Sequence, residues 1–595
     1  MCGIIACRTS GPAIEYLRIA LRRLEYRGYD SVGVAVRTND GGVERLRAVG
    51  RVDALDRRLS ERTGAELDGV GIGHTRWATH GSATEDNAHP HVDCFGEISL
   101  VHNGIIENAD RLRHALLISG HRFASDVDSE VLCHLIEDQR RMCGDLFEAV
   151  EAALVALQGS WAIAVLEHCT GRLVVAADHS PLLVASTRHG QFATSDIAAI
   201  ADWTDEFRVL EDGDVVELGF TERWRNHELN TAPRAASRCL LRQGVVELNG
   251  YSDYMAKEID EQPEVVARVL DEVAPAVASG ALWRDLYLES FDRVHVIGCG
   301  TSLNAGQVLG NLVRRIGGLP VTSCVGSEDG DSILEPRTLR LAISQSGETA
   351  DVLHAVESHG ITAAPLLAVT NNAHSTLTRR ADAVVLCNAG TEIGVAATKT
   401  FVCQVVAGSA VMISAMVALR RLSTASAQCL VDELLRLPDQ LAAAITTSKC
   451  IVPQLADGMT SESGVVFLAR STGLPYAAEG ALKLKELTYR WAELCPAGEL
   501  KHGPLALIDN GTPVIVIDSG DPKLATCVAE VRARGGRAIT IGPADALVPL
   551  ADDPQLPWGP LTSVVPLQIL ARTLALALAR DVDKPRNLAK SVTVE

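Results

Sequence analysis

The sequence predicts a multidomain α/β protein, and its length, its changing pattern and an internal repeat support this prediction. Its 595 residues correspond to about four domains of ordinary size, and a hydrophobic content of 47% is enough to bury several cores. Short β-like runs such as 98–101, 161–165 and 173–177 precede residue 240 and suit a layered domain of sheets and helices. From residue 254 onward, strand and helix patterns alternate, as they do in parallel α/β domains.

The second half of the chain contains two similar segments. The run 294–302 is echoed by 465–472, and the run 341–347 is echoed by 514–520. Thr472 follows Thr301 by 171 residues and Ser519 follows Ser346 by 173, so the two offsets are nearly equal. This half is therefore predicted to be two copies of one doubly wound fold.

Charge and cysteine content exclude several functional classes. The net charge of −20 repels polyanions and no basic stripe offsets it, so no nucleic acid partner is expected. Fifteen cysteines without a C-x-x-C pair, in a chain with no signal peptide, indicate reduced thiols in a cytoplasmic protein rather than a disulfide framework or a zinc site. The longest apolar run, 405–419, is too short for a membrane span, so we expect a buried helix and no membrane association.

Cys2 is the most informative residue of the chain. Removal of the initiator Met would place its thiol beside the α-amino group of the same residue. A free α-amine has a pKa of about 7.7–8.0, so it can accept the thiol proton at neutral pH and generate a nucleophile. The alternative is a small residue exposed by methionine processing, and one cysteine does not decide between the two.

Polar segments that follow this cysteine favour the nucleophile. Arg76 and Asp128 can bind the α-carboxylate and the α-ammonium of an amino acid, and Asn103 with the Gly104 N–H can hold an oxyanion. Taken singly, each is equally an ion-pair or turn residue, since Asn-Gly is a turn signal and Asp128 can cap the helix that follows. Together they favour a catalytic site. The segments are 27–28, 74–81, 87–91, 101–108 and 126–130.

Hydroxyl-rich loops follow two strands of the first copy. Thr301 and Ser302 follow one strand, and the run 344–349 follows the next and opens a helix, where free N–H groups and the positive end of the helix dipole favour an anion. Ordinary N-capping needs only one Ser or Thr. The loops therefore favour a sugar-phosphate site.

Charged residues late in the chain suggest a second catalytic group. In 478–487, Glu479, Lys483 and Glu486 form one narrow stripe on a largely apolar helix. The stripe is either an ion-pair set on a solvated face or a catalytic stripe in which Glu486 is a general base. His502 lies between turn residues. Lys590 is in the tail, where a flexible lysine is the ordinary expectation, although a buried lysine can form a Schiff base with a ketose.

From Cys2-Gly3-Ile4-Ile5 to the last residues, 588–595, the chain resembles the glutamine–fructose-6-phosphate aminotransferase (isomerising) family. The resemblance implies an N-terminal-nucleophile (Ntn) αββα glutaminase domain followed by two doubly wound sugar-isomerase (SIS) α/β subdomains. The implied domains are a type 2 glutamine amidotransferase domain over 1–237, a linker over 238–250, SIS subdomains over 251–425 and 426–580, and a tail over 581–595 that closes over the sugar site.

The resemblance also implies roles for the candidate residues. The catalytic residues would be Cys2, Asn103, Gly104, Glu486, Lys483, Glu479, His502 and Lys590. Glutamine would be bound by Arg27, Arg76, Trp77, Thr79, His80 and Asp128, with Trp77 also gating ammonia. The sugar phosphate would be bound by Cys299, Gly300, Thr301, Ser302, Ser344, Gln345, Ser346, Thr349, Val395 and Ala589.

The implied reaction turns L-glutamine and D-fructose 6-phosphate into D-glucosamine 6-phosphate and L-glutamate. The resemblance also implies internal ammonia transfer, no metal or organic cofactor, and a homodimer.

Two alternatives remain, a paralogue that aminates another ketose phosphate and a sugar-phosphate sensor without turnover. Phosphoribosyl amidotransferase and asparagine synthetase share the Cys start, but the second half lacks a nucleotide or diphosphate loop. The chain departs from the family pattern at Asp329 and Asp331, at Ala397 and in 551–561.

Overall fold

The computed structural model describes residues 2–78, 81–219, 223–226, 231–239, 247–358 and 364–592. The chain forms two compact units, Met1–Val246 with Ala589–Glu595, and Glu247–Leu588. Each unit is described by itself.

The first unit is built on two antiparallel sheets. The eight-stranded sheet has the order Ser237–Arg238, Glu206–Val209, Leu183–Thr187, Gly190–Thr194, Gly3–Thr9, Leu67–Arg76, Ser31–Thr38, Val43–Val49. The six-stranded sheet has the order Arg223–Arg225, Asp214–Leu218, Leu173–Asp178, Gly159–Glu167, Ile98–Ile106, His91–Val92. The strands predicted at 98–101, 161–165 and 173–177 are confirmed.

Helices cover the outer faces of both sheets. Alternation along Gly3–Thr9 turns Ile4 into a core shared by the two sheets and Ile5 toward a core with the helix Ala13–Leu24. The other sheet packs its outer face on helices Ser129–Cys143 and Leu146–Leu154. The unit therefore has the αββα layering that was predicted. Its remaining helices are Val52–Ser60 and Ala109–Ile118.

The second unit contains two parallel sheets of five strands each. The first has the order Val321–Val325, Arg293–Gly298, Thr338–Ser344, Leu366–Thr370, Ala383–Leu386. The second has the order Trp491–Pro496, Gly464–Ala469, Pro513–Ile517, Arg537–Gly542, Val548–Pro549. In each sheet the strand that is first in the chain lies second in space, which is a doubly wound order and confirms the internal repeat.

Most helices of the second unit enclose one continuous hydrophobic core that reaches both sheets. These are Tyr254–Asp260, Gln262–Val277, Ala281–Arg284, Gly300–Gly317, Lys399–Ala418, Thr424–Leu434, Leu437–Asp457, Leu474–Thr488 and Val564–Ala577. The helices Ala350–Ser358 and Thr376–Arg380 cover a smaller cluster on the other face of the first sheet, and Lys523–Arg532 covers one on the other face of the second. Short 3₁₀ turns in the two units occur at Glu25–Arg27, Ile197–Ala199, Gly326–Glu328, Ser471–Gly473, Leu500–His502, Pro504–Leu507 and Leu561–Ser563.

The helix Lys399–Ala418 contains most of the apolar run 405–419. Within the described ranges it is the one helix whose length and composition would allow it to cross a membrane, but 89% of its most apolar window is buried inside the protein. That burial is typical of a core helix, as the sequence predicted.

A close approach between the helix Gly300–Gly317 and its sheet depends on Gly306. A Cβ at this position would lie 2.4 Å from Val296 Cγ1. Because Val296 is β-branched and buried, it cannot rotate away cheaply.

We expect Gly306→Ala to lower the thermal unfolding midpoint by a few degrees, since overpacking costs about 1–3 kcal/mol and the gain in helix propensity returns only about 1 kcal/mol. Gly330→Ala is the control, because a Cβ there meets nothing within 4 Å. Differential scanning calorimetry compares the two variants, and equal midpoints would contradict the packing argument.

Candidate active site

Cys2 is held at the start of a central strand of the first unit. The strand Gly3–Thr9 pairs with Leu67–Arg76 on one edge and Gly190–Thr194 on the other. The Cys2 thiol accepts a hydrogen bond from the Trp77 N–H (N···Sγ 3.3 Å). Burial raises the pKa of the thiol, while that N–H and the Arg76 charge act in the opposite direction. A base is therefore needed to ionise it.

Asn103 bridges the two sheets at this point. Its Nδ2 donates to the Cys2 carbonyl oxygen at 3.0 Å, and its Oδ1 lies 3.1 Å from His74 Nε2. His74 Nε2 also lies 3.1 Å from the His102 carbonyl oxygen. Since both neighbours are acceptors, Nε2 carries the proton, and this fixes the Asn103 amide with its NH₂ group toward Cys2.

Gly104 lies inside the strand Ile98–Ile106, so the turn interpretation of Asn-Gly is wrong. Its φ is 130°, and a Cβ would lie 2.0 Å from the Ser160 carbonyl oxygen. Only glycine fits this position.

Arg76 and Asp128 lie in the same electrostatic neighbourhood as Cys2. Burial lowers the pKa of Arg76, and the charges of Cys2, Asp30 and Asp128 oppose that effect. The Arg76 guanidinium donates to the carbonyl oxygens of residues 81 and 82 at 3.3 Å each. Asp128 Oδ2 accepts from the Ile106 N–H at 2.9 Å and does not cap its own helix. The helix-cap interpretation of Asp128 is therefore wrong.

Arg27 is engaged within the protein. Its Nε donates to Asp196 Oδ2 at 2.8 Å, and both side chains are largely buried. Although burial alone lowers the pKa of Arg27, the Asp196 carboxylate raises it above its ordinary value. The Asp196 carboxylate also accepts a hydrogen bond from the Tyr26 hydroxyl, 170 residues away in the chain. No sequence pattern predicted Asp196 as a partner, because it is so distant in the chain from the residues that it binds. Thr79 and His80 lie outside the described residues.

A row of buried histidines begins at His74, which contacts Asn103, and the sequence analysis assigned these histidines no role. The rings of His74 and His89 are 4.1 Å apart and those of His89 and His91 are 4.5 Å apart. Neither ring nitrogen of His89 has a hydrogen-bond partner among the described residues. Burial lowers the pKa of His74 and of His91 to about 3, and that of His89 well below its ordinary value.

In the second unit, the loop after the strand Arg293–Gly298 opens the helix Gly300–Gly317, with Cys299 and Gly300 at its start. The Thr301 hydroxyl donates to Glu479 Oε1 at 3.0 Å, and Ser302 Oγ accepts from Gln404 Nε2 at 3.0 Å. Thus Thr301 joins the first copy of the fold to the charged helix of the second.

The run 344–349 forms a compact hydroxyl-lined loop at the end of the neighbouring strand. Ser344 Oγ lies 2.9 Å from Thr349 Oγ1 and accepts from the Gly347 N–H at 3.1 Å. Ser346 Oγ accepts a hydrogen bond from the Glu348 N–H at 3.1 Å. The Gln345 carbonyl oxygen accepts one from the Asn371 N–H. Both loops lie at the carboxyl edge of the parallel sheet, where ligands of such sheets bind.

The charged stripe of the helix Leu474–Thr488 is buried. Glu479 and Lys483 are each 1% exposed, which contradicts the solvated-face interpretation. Lys483 Nζ lies 2.7 Å from Glu486 Oε2 and 3.4 Å from Glu479 Oε1. Although burial alone lowers the pKa of Lys483, its two carboxylate neighbours raise it above its ordinary value, so the ammonium stays charged.

The two carboxylates of the stripe differ in availability. Both oxygens of Glu479 are engaged, by the Thr301 hydroxyl and by Asn304 Nδ2 at 2.8 Å, and burial raises its pKa. The Glu486 side chain keeps 20% of its surface exposed. Glu486 is therefore the carboxylate that a ligand can reach.

The remaining predicted residues lie apart from this stripe in the chain. His502 is solvent-exposed in its 3₁₀ turn, and the Val395 N–H donates to the Asp583 carbonyl oxygen at 3.0 Å. Ala589 and Lys590 group with the first unit, and Lys590 is 4% exposed. Lys590 is thus a buried tail residue rather than a free one.

Asp329, one of the departures from the family pattern, is fully buried with an oxygen 2.7 Å from His295 Nε2. Its carboxylate is therefore part of an internal pair with His295. Nothing in the structure explains the replacement at Ala397.

Domain-family models agree with these two sites. The glutamine amidotransferase domain model matches residues 74–202, and the SIS domain model matches 287–414 and 459–577. Fold and sites thus define a glutamine amidotransferase joined to a tandem sugar-isomerase module.

Relatives match over the full length. The glutamine–fructose-6-phosphate aminotransferase (isomerizing) of Thermus thermophilus is 42% identical over 612 residues, and that of Methanothermobacter thermautotrophicus is 41% identical over 615, with all of each chain covered. The solved C-terminal domain of glucosamine-fructose-6-phosphate aminotransferase from Francisella tularensis is 31% identical, with a TM-score of 0.52 over 57% of this chain and 100% of that one. The chain belongs to the glutamine–fructose-6-phosphate aminotransferase (isomerising) family.

The buried histidines predict a loss of stability in mild acid. Below a pH of about 6.5 the unfolded chain takes up protons that the folded chain does not, so stability falls as pH falls from about 6.5 toward 3, by about 1.4 kcal/mol per pH unit for each histidine. Urea unfolding at pH 7, 6 and 5, followed by tryptophan fluorescence, measures this slope. The slope should decrease in His89→Leu, and an unchanged slope in that variant would contradict the assignment.

Proposed function

We propose that this chain converts L-glutamine and D-fructose 6-phosphate into L-glutamate and D-glucosamine 6-phosphate, the entry reaction of amino-sugar synthesis. The proposal depends on two sites that occur together in one chain. In the first, Cys2 precedes a central strand and lies beside Asn103. In the second, hydroxyl-lined loops are hydrogen-bonded to a buried charged helix. Relatives that bear this enzyme name over their whole length support it.

In the glutaminase half, the α-amine exposed by Met removal takes the Cys2 thiol proton, and the thiolate attacks the side-chain amide of glutamine. The Asn103 NH₂ group and the Gly104 N–H then hold the oxyanion. Arg76 and Asp128 bind the α-carboxylate and α-ammonium, with Arg27, Trp77, Thr79 and His80 completing the pocket. Acyl-enzyme formation releases ammonia, and water releases glutamate.

In the sugar half, the phosphate is bound by Ser344, Gln345, Ser346 and Thr349, with Thr301 and Ser302 nearby. Glu486 moves the proton between sugar C1 and C2, because it is the accessible carboxylate of the stripe. Lys483 holds Glu486 in place, and Glu479 fixes Lys483 from the other side.

The other roles follow from the resemblance. His502 opens the cyclic sugar, Lys590 forms the imine with the open ketose, and Cys299, Gly300, Val395 and Ala589 line the sugar. Ammonia reaches the sugar without leaving the protein. The exposure of His502 in the single chain suits a homodimer in which this residue acts across the subunit interface. We place the reaction in the cytoplasm, without a nucleic acid or membrane partner.

Cys2→Ala should abolish glutamine hydrolysis and glutamine-dependent amination, because it removes the proposed nucleophile. Isomerisation of fructose 6-phosphate to glucose 6-phosphate should continue, because Cys2 is proposed only as the nucleophile that attacks the glutamine amide. Cys169→Ala, which replaces an exposed cysteine, is the control and should retain both activities. Glutamate formation by Cys2→Ala would refute the nucleophile assignment.

Lys590 distinguishes an enzyme from a sugar-phosphate sensor. Borohydride added with fructose 6-phosphate should trap a covalent sugar adduct at Lys590 that peptide mass spectrometry detects. Lys590→Arg should eliminate the adduct because a guanidinium does not form the imine, whereas Lys584→Arg in the same tail should retain it. No adduct under conditions where the sugar binds would favour the sensor.

A further inference from the structure

Four potential metal ligands converge in the first unit, away from Cys2 in the sequence. They are Cys94, His121, His134 and Glu137, whose Sγ, Nδ1, Nδ1 and Oε2 atoms point at one another, and one ligand atom from each residue lies within 4.8 Å of all the others. Cys94 follows the strand His91–Val92, His121 follows the helix Ala109–Ile118, and the other two lie on the helix Ser129–Cys143. His121, His134 and Glu137 are buried.

The distances within this cluster are those of a tetrahedral metal site. Zinc bonds of about 2.3 Å to sulfur and about 2.0–2.1 Å to nitrogen and oxygen, at tetrahedral angles, give S···N edges of about 3.6 Å and N···O edges of about 3.3–3.4 Å. Cys94 Sγ lies 3.5 Å from His121 Nδ1 and 3.6 Å from His134 Nδ1. Glu137 Oε2 lies 3.2 Å from each of the same two nitrogens.

Neighbouring groups orient these ligands. His121 Nε2 lies 3.0 Å from Asp138 Oδ1, so a donated Nε2–H leaves the Nδ1 lone pair for a cation. The Arg141 guanidinium donates to the other oxygen of Glu137 at 2.5 Å, which leaves Oε2 directed into the cluster. A carboxylate partner on a ligating imidazole is the usual arrangement around protein-bound metals.

A pocket of about 300 Å³ gives access to the cluster. Its lining includes Cys94, His121 and Glu137, and Cys94 is exposed to solvent. An ion can therefore reach the ligands without unfolding of the unit, as a reversible metal site requires.

We propose that Cys94, His121, His134 and Glu137 bind one divalent cation of the zinc class. Thiolate, imidazole and carboxylate together are a ligand set that zinc prefers, and four protein ligands make the site structural rather than catalytic. On binding, the Cys94 thiol releases its proton to solvent and the sulfur coordinates as thiolate.

The bound cation joins three chain segments that no disulfide connects among the described residues. One of them is the helix Ser129–Cys143, at whose N-terminal end Asp128 accepts the Ile106 N–H. The bound cation would therefore stabilise the position of the helix that Asp128 directly precedes. The sequence analysis looked for a C-x-x-C pair and therefore expected no zinc site. The four ligands proposed here, at positions 94, 121, 134 and 137, are separated by 27, 13 and 3 residues and match no such spacing.

Cobalt substitution of the full chain tests the site without reference to activity. Chelator-treated protein is titrated with Co²⁺ and its absorption spectrum recorded. One equivalent should produce a thiolate-to-cobalt charge-transfer band with the strong visible bands of tetrahedral cobalt, and Zn²⁺ should displace both. Cys94→Ala should lose the charge-transfer band. Cys143→Ala, which replaces an exposed cysteine at the end of the helix that bears His134 and Glu137, should keep it.

A second variant separates coordination from folding. Asp138→Asn leaves all four ligands in place and should weaken zinc affinity about 10–100-fold in a competition titration, with the circular dichroism spectrum unchanged. A full chain that gives no thiolate–cobalt band at one equivalent would show a hydrogen-bonded cluster only. A band of equal intensity in Cys94→Ala would show binding at other cysteines. Either result would overturn the proposal.

Discussion

The pairing of the strand Gly3–Thr9 on both of its edges is the constraint on which the first unit depends. A chain terminus ordinarily frays, but this strand is held between Leu67–Arg76 and Gly190–Thr194, with Ile4 and Ile5 buried on opposite faces. Cys2 therefore has a fixed position, although it lies almost at the end of the chain. The Asn103 amide reaches its carbonyl from the facing sheet and links the two layers at that residue.

In the second unit, the corresponding constraint is electrostatic. An isolated buried ammonium is costly, and Lys483 is accommodated only because Glu479 and Glu486 lie on either side of it. Glu479 is in turn held by Thr301 and Asn304 from the other copy of the fold. The orientation of Glu486 is thus determined by a chain of polar contacts that crosses between the two sheets of this unit.

Much of the fold could be predicted from the sequence because it depends on local periodicity. The runs at 161–165 and 173–177 and the nearly equal repeat offsets specify strands and topology directly. The sites were only partly predictable. The Asn-Gly pattern at Gly104 is typical of a turn, but the residue lies in a strand. Only the structure shows that the Ser160 carbonyl oxygen is too close for any side chain at this position. The Asp196 partner of Arg27 and the convergence around Cys94 join residues distant in sequence, and no spacing rule describes them.

The two copies of the fold in the second unit share a hydrophobic core, and each copy provides a different part of the proposed sugar site. Residues from both copies, among them Phe401 and Tyr476, belong to one continuous core, and each copy adds a smaller cluster of its own on the other face of its sheet. The first copy contributes the hydroxyl-lined loops and the second contributes the charged helix. Either copy expressed alone would therefore provide half of the proposed sugar site and would expose to water the part of the shared core that the other copy covers.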